Sequence, residues 1–256
     1  MRHFVLFFLL VLSGSAFAQT KAISLEDIWQ TYSFYGQSVS GFNFLQDGRS
    51  FTRLENNQVV QYDLKTGNRT DVLVDGSELQ EGIDAGGDFN FTGEIDNYTF
   101  STDESKILLS SESEQLFRRS SQSFFYVYDR KTKALTPVFA EKKHRLATLD
   151  PTGKRVAFVV DNNIWIKELS DGKMTQVTTD GETNKIINGA ADWVYEEEFS
   201  FAKAIHWSPD GSYLAYLKFD ETKVKEFTYT DFHNGMYPEY NTFKYPKVGE
   251  LSLIHI

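Results

Sequence analysis

The segment DWVYEEEF at residues 192–199 places three consecutive glutamates, 196–198, among aromatic side chains. Adjacent carboxylates repel each other, and each is costly to remove from water unless it is paired, so an acidic triplet usually lies on a solvated surface. Here the rings of Trp193, Tyr195 and Phe199 would pin the segment against a hydrophobic core. The segment is therefore expected to hold its acids at the rim of a cavity.

Carboxylates that are held in place favour a cationic ligand. A primary ammonium carries three donors and no acceptor, so two carboxylates side by side can both accept from it. Such charge-assisted hydrogen bonds contribute roughly 1.5 to 3 kcal/mol each. The α-amine of a peptide has this chemistry, and we expect the triplet to bind a peptide N-terminus, with a solvated acidic face as the alternative.

The overall composition limits the fold class and the partners. The chain has 256 residues, of which 41% are hydrophobic and 24% charged, as in a packed globular protein. Its 22 Phe and 13 Tyr favour strands, because aromatic side chains fit a pleated, half-buried surface. The net charge of −10 argues against a nucleic-acid partner. An all-β fold is predicted.

Internal repeats indicate how the strands are organised. Four stretches share one pattern: an apolar strand, a turn rich in Asp, Pro and Gly, a second apolar strand, and further strands with polar turns. The first turns fall near Gly48, Ser105, Gly153 and Gly211. These turns recur about every 50 to 60 residues, a period in the range of propeller blades. A β-propeller is therefore predicted, and a β-sandwich is the alternative.

Residues 1–18 are typical of a secretory signal peptide. A basic start precedes the apolar run 4–12, and Ala16 and Ala18 are the small residues that a signal peptidase reads. Cleavage after Ala18 would export the mature chain to the periplasm or the extracellular space. No later window reaches the ~20 apolar residues of a membrane helix, so no membrane span is expected.

Two local features carry structural predictions of their own. ISLEDIW at residues 23–29 predicts a short helix with Ser24 as N-cap and Asp27 completing a capping box. His206, beside Trp207, is expected to be a histidine in the core of a blade.

Several motifs together resemble one known family. NGAADWVYEEEF, preceded by RLATLDPTGKRVAFVVDNNIWIK and followed by HWSPDGSYLAY and YPKVGE, is similar to the propeller of the dipeptidyl peptidase IV family, in the prolyl oligopeptidase clan of serine peptidases. The similarity covers most of residues 22–250. It implies an eight-bladed propeller joined to an α/β-hydrolase domain, and release of dipeptides with Pro or Ala second. No cofactor is implied, because acyl transfer by an activated serine requires none.

The resemblance also assigns site residues. The second and third glutamates of the motif, Glu197 and Glu198, would bind the substrate α-ammonium, while Glu196 would be structural or solvated. An arginine in a loop before an aromatic strand would reach a carbonyl of the bound dipeptide, because its fork of donors can hold one oxygen and a nearby carboxylate. In EQLFRRSSQSFFYVYD this arginine is Arg118, with Arg119 as the competing assignment.

The chain lacks the family's catalytic motif. No G-x-S-x-G elbow occurs, so we expect the α/β-hydrolase domain and its Ser, Asp and His to be absent from this chain, and the chain alone to be inactive. Residues 19–250 would form about four of the eight blades, and the open sheet edges predict aggregation of the isolated piece. The tail LSLIHI, residues 251–256, resembles a translated sequencing adapter and is expected to be artefactual.

These features predict the propeller portion of an exported serine dipeptidyl peptidase. Its expected partners are peptides with a free N-terminus, its own C-terminal hydrolase domain and, from the resemblance, a second copy in a homodimer. Two alternatives stay open. One is a prolyl tripeptidyl aminopeptidase, which shares the glutamate pair, and the other is a non-catalytic propeller that binds peptides or proteins.

Overall fold

The computed structural model describes residues 22–36, 41–79, 91–233 and 235–253. The chain divides into two compact units, Met1–Ser40 and Gly41–Ile256. The predicted signal peptide, 1–18, lies outside the described residues.

The first unit contains helix α1 (Leu25–Trp29), which begins at a complete capping box. The Asp27 backbone N–H donates to Ser24 Oγ, and the Asp27 carboxylate accepts from the Ser24 backbone N–H, both at 3.1 Å. The predicted N-terminus of this helix is confirmed. In the part of the chain that the structure describes, no helix has the length and apolar character needed to cross a membrane.

The second unit begins with three four-stranded antiparallel sheets, each a meander of neighbours in chain order. The first sheet contains β1 (Phe42–Phe44), β2 (Ser50–Glu55), β3 (Gln58–Asp63) and β4 (Arg69–Asp75). The second contains β5 (Asn97–Phe100), β6 (Lys106–Gln115), β7 (Ser121–Asp129) and β8 (Leu135–Pro137). The third contains β9 (Arg145–Leu149), β10 (Arg155–Val160), β11 (Asn163–Glu168) and β12 (Met174–Gln176). These sheets are three propeller blades.

The fourth repeat has a different arrangement of three two-stranded sheets. Strand β13 (Ile186–Asn188) pairs with β16 (Lys218–Asp220), and β14 (Ile205–Trp207) pairs with β15 (Leu214–Tyr216). Strands β17 (Glu226–Asp231) and β18 (Glu239–Lys244) form a separate hairpin. Helix α2 (Trp193–Phe199) lies in the connection between β13 and β14. The all-β partial propeller predicted from the repeats is confirmed.

The blades pack face to face along the chain. On β6, Ile107 and Leu109 share a buried cluster with Val59 of the first blade. The intervening Leu108 points the other way and shares a cluster with Phe158 of the third blade. Because successive side chains of a strand face opposite sides, a strand between two neighbours is apolar on both faces. This explains why the strands show little hydrophobic-to-polar alternation.

The first turn of each repeat contains one residue with left-handed backbone. These residues are Gly48, Glu104, Gly153 and Gly211, with φ between 56° and 73°. The predicted turns are therefore in place. In the second repeat the left-handed residue is Glu104 and not Ser105.

The buried histidine is not the one that the sequence indicated. His206 is exposed on β14, so its expected place in a blade core is wrong. His144 is only 1% exposed and lies among the rings of Phe125, Phe139 and Phe158. Burial lowers the pKa of His144 to about 4, which keeps the ring neutral at physiological pH.

Candidate functional site

The acidic triplet lies on helix α2, which begins at Asp192. The buried Asp192 carboxylate accepts from the backbone N–H groups of Val194 (3.3 Å) and Tyr195 (3.1 Å), as an N-cap does. Burial raises the pKa of Asp192, although these two hydrogen bonds oppose the rise. The helix ends at Ser200, which adopts the left-handed conformation.

The helical backbone separates the three glutamates, which the sequence pattern alone did not predict. Successive residues of an α-helix are rotated by about 100°, so the three glutamate side chains leave the helix axis in different directions. Glu196 is fully buried, Glu197 is half-buried and Glu198 is exposed. One acid of the triplet therefore faces the protein interior, and two are left for contact with a ligand.

Aromatic packing holds the helix against the fourth repeat. The ring of Trp193 lies 4.7 Å from that of Tyr245, and the ring of Tyr195 lies 4.9 Å from that of Phe219. Phe199 is half exposed and contacts Tyr195 at 4.9 Å. The expected pinning by flanking rings is therefore present, and Trp193 and Tyr195 provide most of it.

Glu196 ties the helix to the loop that joins β6 to β7. Its side chain is 0% exposed, and Oε1 accepts the backbone N–H groups of Arg119 (2.5 Å) and Ser120 (2.9 Å). Of the two expectations for Glu196, the structural one applies and the solvated one does not. Glu196 thereby holds this loop, residues 116–120 and called the arginine loop below, near the other two glutamates.

Arg118 forms an ion pair with Glu197. The Arg118 Nε atom lies 3.2 Å from Glu197 Oε2, with the arginine side chain 70% exposed and that of the glutamate 15% exposed. A pair as exposed as this contributes little to stability. The structure thus brings together two of the three predicted site residues. Arg119 contributes its backbone N–H to Glu196, which favours Arg118 over Arg119 as the site arginine.

Among the residues that the structure describes, the Glu198 carboxylate has no partner. It makes no hydrogen bond or ion pair with any residue that the structure describes, and Glu197 has only the contact with Arg118. An ionised carboxylate can accept about four hydrogen bonds through its two oxygens. Most of the accepting capacity of the pair is therefore available to a ligand.

A cavity of about 320 Å³ lies beside the start of α2. Its lining includes Asp192 and Trp193 but neither Glu197 nor Glu198. Burial, together with the charge of nearby Asp192, raises the pKa of the lining residue Glu221 to about 7, while Lys244 acts in the opposite direction. The described ranges contain no cluster of three or more His, Cys, Asp or Glu side chains that could hold a metal. Sequence patterns did not reveal this cavity, because its lining comes from three repeats.

Comparison with known proteins identifies the family. The family model described as the dipeptidyl peptidase IV (DPP IV) N-terminal region matches residues 101–254, which include the arginine loop and helix α2. The chain belongs to this family.

Individual relatives agree with this assignment. The chain is 30% identical over 242 residues to the prolyl endopeptidase FAP of Bos taurus, covering 90% of this chain and 29% of that protein. It is 37% identical over 159 residues to dipeptidyl aminopeptidase B of Saccharomyces cerevisiae, covering 60% of this chain and 19% of that protein. The crystal structure of Porphyromonas gingivalis dipeptidyl peptidase 4 superimposes with a TM-score of 0.78 at 35% identity, over 90% of this chain and 32% of that chain. The chain therefore spans about a third, or less, of the relatives that it matches.

Proposed function

We propose that the complete protein is an exported serine dipeptidyl peptidase that releases X-Pro and X-Ala dipeptides from free peptide N-termini. This chain would supply the part of the propeller that binds the substrate α-ammonium through Glu197 and Glu198. The observation that carries the proposal is the arrangement at α2, where Arg118 is paired with Glu197 and Glu198 has no partner among the described residues. The named dipeptidyl peptidases among the relatives support the reaction class.

The charges of the three side chains suit a peptide end. Two carboxylates and one guanidinium leave one net negative charge, which matches the single positive charge of an α-ammonium. Only Nε of Arg118 contacts Glu197, so the other guanidinium N–H groups can donate to the first carbonyl oxygen of the substrate. The site would therefore recognise the amine and the adjacent peptide group together.

This arrangement predicts strong selection for an unblocked amine. An N-acetyl group removes the positive charge and two donors, and it leaves Glu198 without a partner and Glu197 with Arg118 alone. Sites built to hydrogen-bond a group can reject an analogue that lacks it by up to ~10⁴-fold. Discrimination against blocked peptides is thus the functional signature of the glutamate pair.

A kinetic comparison with the full-length protein tests the proposal. Cleavage of Ala-Pro-anilide and of its N-acetyl form is measured for wild type, Glu197→Ala and Glu198→Ala, with Glu182→Ala as a control at an exposed ion pair with Lys185. We expect the wild type and the control to prefer the free amine, and both site variants to lose much of this preference. Equal rates for both substrates in all four proteins would refute the assignment.

The same protein distinguishes the alternative functions. Mass spectrometry of products from a longer Pro-containing peptide should show dipeptides. Tripeptides would indicate a prolyl tripeptidyl aminopeptidase, and binding without cleavage would indicate a non-catalytic propeller. The Ser, Asp and His of the reaction would come from the C-terminal hydrolase domain, the proposed intramolecular partner.

Export and dimer formation form part of the proposal. N-terminal sequencing of the protein recovered outside the cytoplasm should begin at Gln19, whereas a mature start at Met1 would contradict cleavage after Ala18. Light scattering of the full-length protein should give the mass of two copies, and the mass of one copy would refute the dimer.

A further inference from the structure

A buried charge lies behind the arginine loop, and the family motif does not include it. Glu196 Oε2 is buried and has no hydrogen-bond partner among the described residues, and the same holds for Nε and Nη2 of Arg145. Burial lowers the pKa of the Arg145 guanidinium, and the negative charge of Glu196 opposes that shift. The two buried side chains carry opposite charges and influence each other electrostatically from the third and fourth repeats, without a hydrogen bond between these atoms.

The backbone at Arg145 is unusual in a way that supports a specific role. Leu146, the next residue, has φ of 58°, in the left-handed region that side-chain-bearing residues disfavour. The register between β9 and β10 also shifts here, so that Arg145 is paired with Val159. Bulges of this kind re-aim the side chains around them, often next to functional sites.

We propose that Arg145 is a positioning residue for the peptide-binding site, an inference that rests on the proposed function. Its buried charge balances that of Glu196, which accepts the backbone N–H groups of residues 119 and 120. These bonds fix the loop from which Arg118 reaches Glu197. Arg145 thus acts on the substrate site without touching the substrate.

The loop depends on the two backbone hydrogen bonds to Glu196 for its position. Within the loop, Ser120 O accepts from Leu116 N (2.9 Å) and more weakly from Phe117 N (3.4 Å). The side chain of Arg118 is largely exposed, so it has little packing of its own to orient it. Hydrogen bonds to a carboxylate are about twice as strong as neutral ones, and Glu196 supplies two of them to the loop. Without the positive charge of Arg145 to balance Glu196, these hydrogen bonds should weaken. Arg118 should then sample orientations in which it contacts neither Glu197 nor the substrate.

The test measures KM and kcat separately for Ala-Pro-anilide with the full-length protein. Arg145→Gln leaves the buried Glu196 without its counter-charge, and we expect KM to rise about 10-fold to 10²-fold, since small misplacements in a site have effects of that order. The value of kcat should change less. The double variant Glu196→Gln with Arg145→Gln forms an uncharged pair and should recover most of the lost affinity. Arg130→Gln is the control, because Arg130 donates to the Glu104 carbonyl in a blade turn, and its KM should equal that of the wild type.

A double-mutant cycle separates positioning from general stabilisation. In an Arg118→Ala background, Arg145→Gln should add little to the rise in KM, because its effect passes through Arg118. Independent, multiplicative effects of the two substitutions would overturn the inference, as would a KM for Arg145→Gln equal to that of Arg130→Gln. If Arg145→Gln does not fold, the same cycle with the isosteric Glu196→Gln decides the matter.

The outcome can be told apart from failure of the proposed function. If Glu197→Ala and Glu198→Ala raise KM while Arg145→Gln does not, the positioning role alone is wrong. If none of the three variants changes KM, the proposed peptide-binding site is itself wrong.

Discussion

The acids of the blade turns and the acids of helix α2 differ in what satisfies them. Each of the four turns that open a repeat contains an aspartate with a lowered pKa, namely Asp47, Asp103, Asp150 and Asp210. Asp103 is representative. The hydroxyl of Ser101 and the backbone and hydroxyl of Ser105 donate to its carboxylate and lower its pKa to about 2. Glu197 and Glu198 on α2 have no such local donors.

The backbone explains this difference. A turn aspartate sits beside free N–H groups and hydroxyls up to five residues away, so its accepting capacity is filled by its own segment. In a helix the backbone N–H groups beyond the first turn bond to the preceding turn, and side chains must find distant partners. Glu196 finds such partners in the arginine loop, whereas most of the accepting capacity of Glu197 and Glu198 is unused by the described residues. The turn aspartates, whose oxygens accept hydrogen bonds from their own segment, stabilise the fold. Glu197 and Glu198, whose oxygens have few partners, are available to a ligand.

The largest expected effect is on stability, at a saturated acid. Asp150 is 1% exposed and accepts from the backbone N–H groups of Lys154 (2.8 Å) and Arg155 (2.9 Å), from the Thr152 hydroxyl (2.6 Å) and from the Arg155 guanidinium. Burial raises the pKa of Asp150, but these bonds lower it overall. Asp150→Ala should reduce the free energy of unfolding by about 3 to 5 kcal/mol, because it removes the shared acceptor of two backbone N–H groups, a hydroxyl and a half-buried guanidinium.

Denaturant unfolding measures this loss, and Asp171→Ala in the exposed β11–β12 turn serves as the matched control. The KM of the folded Asp150 variant should be unchanged. A stability loss equal to that of the control would show that the hydrogen bonds accepted by Asp150 do not stabilise the fold.

A third kind of acid, buried without hydrogen bonds, should make stability depend on pH. The carboxylate of Glu221 accepts no hydrogen bond from the described residues, and its pKa is about 7 against an ordinary 4.5 because of burial and the charge of Asp192. The folded state therefore binds the proton more tightly than the unfolded state. The contribution of Glu221 to stability is fully present below pH 4.5 and is lost as pH rises to about 7, by about 3 kcal/mol.

Glu221→Gln should remove this part of the pH dependence. Melting temperatures of wild type and variant at pH 4.5 and 7.5 provide the measurement, with the variant gaining relative stability at the higher pH. Parallel curves for the two proteins would contradict the raised pKa.

Substitution of Arg118 should have the opposite outcome to substitution of Asp150: it should reduce activity more than it reduces stability. Its exposed ion pair with Glu197 contributes at most about 1 kcal/mol to stability. We expect Arg118→Ala to melt near the wild-type temperature while kcat/KM for Ala-Pro-anilide falls about 10-fold to 10²-fold, because a charge-assisted bond to the substrate is lost. Arg119→Ala is the control, and an equal effect of both variants would remove the distinction between them.

The smallest effect is expected at a turn glycine that contacts the Asp150 cluster. Gly211 has φ of 73°, and a Cβ there would lie 3.1 Å from Asp150 Oδ2 and 3.2 Å from Arg155 Nη2. Gly172 has the same φ but nothing within 4 Å of such a Cβ. Both alanine variants carry the cost of left-handed backbone, about 1 kcal/mol, and Gly211→Ala should lose up to about 1 kcal/mol more. Equal losses of unfolding free energy in the two variants would show that Asp150 and Arg155 shift without cost to accommodate the added methyl group.

Features set by local chemistry could be predicted from the sequence. The blade turns depend on Gly and Asp at fixed offsets, and the capping box of α1 depends on Ser24 and Asp27, so each is readable within a few residues. The strand pairing of the fourth repeat could not be predicted in this way. Strands β13 and β16 pair across an intervening helix and hairpin, a contact that no local pattern encodes.

The same limit applies to the candidate site. Glu196 accepts hydrogen bonds from residues of a loop more than 70 positions earlier, and the charge of Arg145 acts on it from a third segment. His144 is buried because rings from several strands surround it, whereas His206 beside an aromatic residue gave the more obvious signal. Glu197, Glu198 and Arg118 were assigned from the family motif, and the ion pair of Arg118 with Glu197 is consistent with that assignment.

A crystal structure of the full-length protein with a bound peptide tests the central claim most directly, using a variant of the catalytic serine to prevent turnover. The account predicts that the peptide α-amine nitrogen lies within about 2.7 to 3.2 Å of carboxylate oxygens of both Glu197 and Glu198. An amine bound elsewhere, with both carboxylates facing bulk solvent, would contradict it.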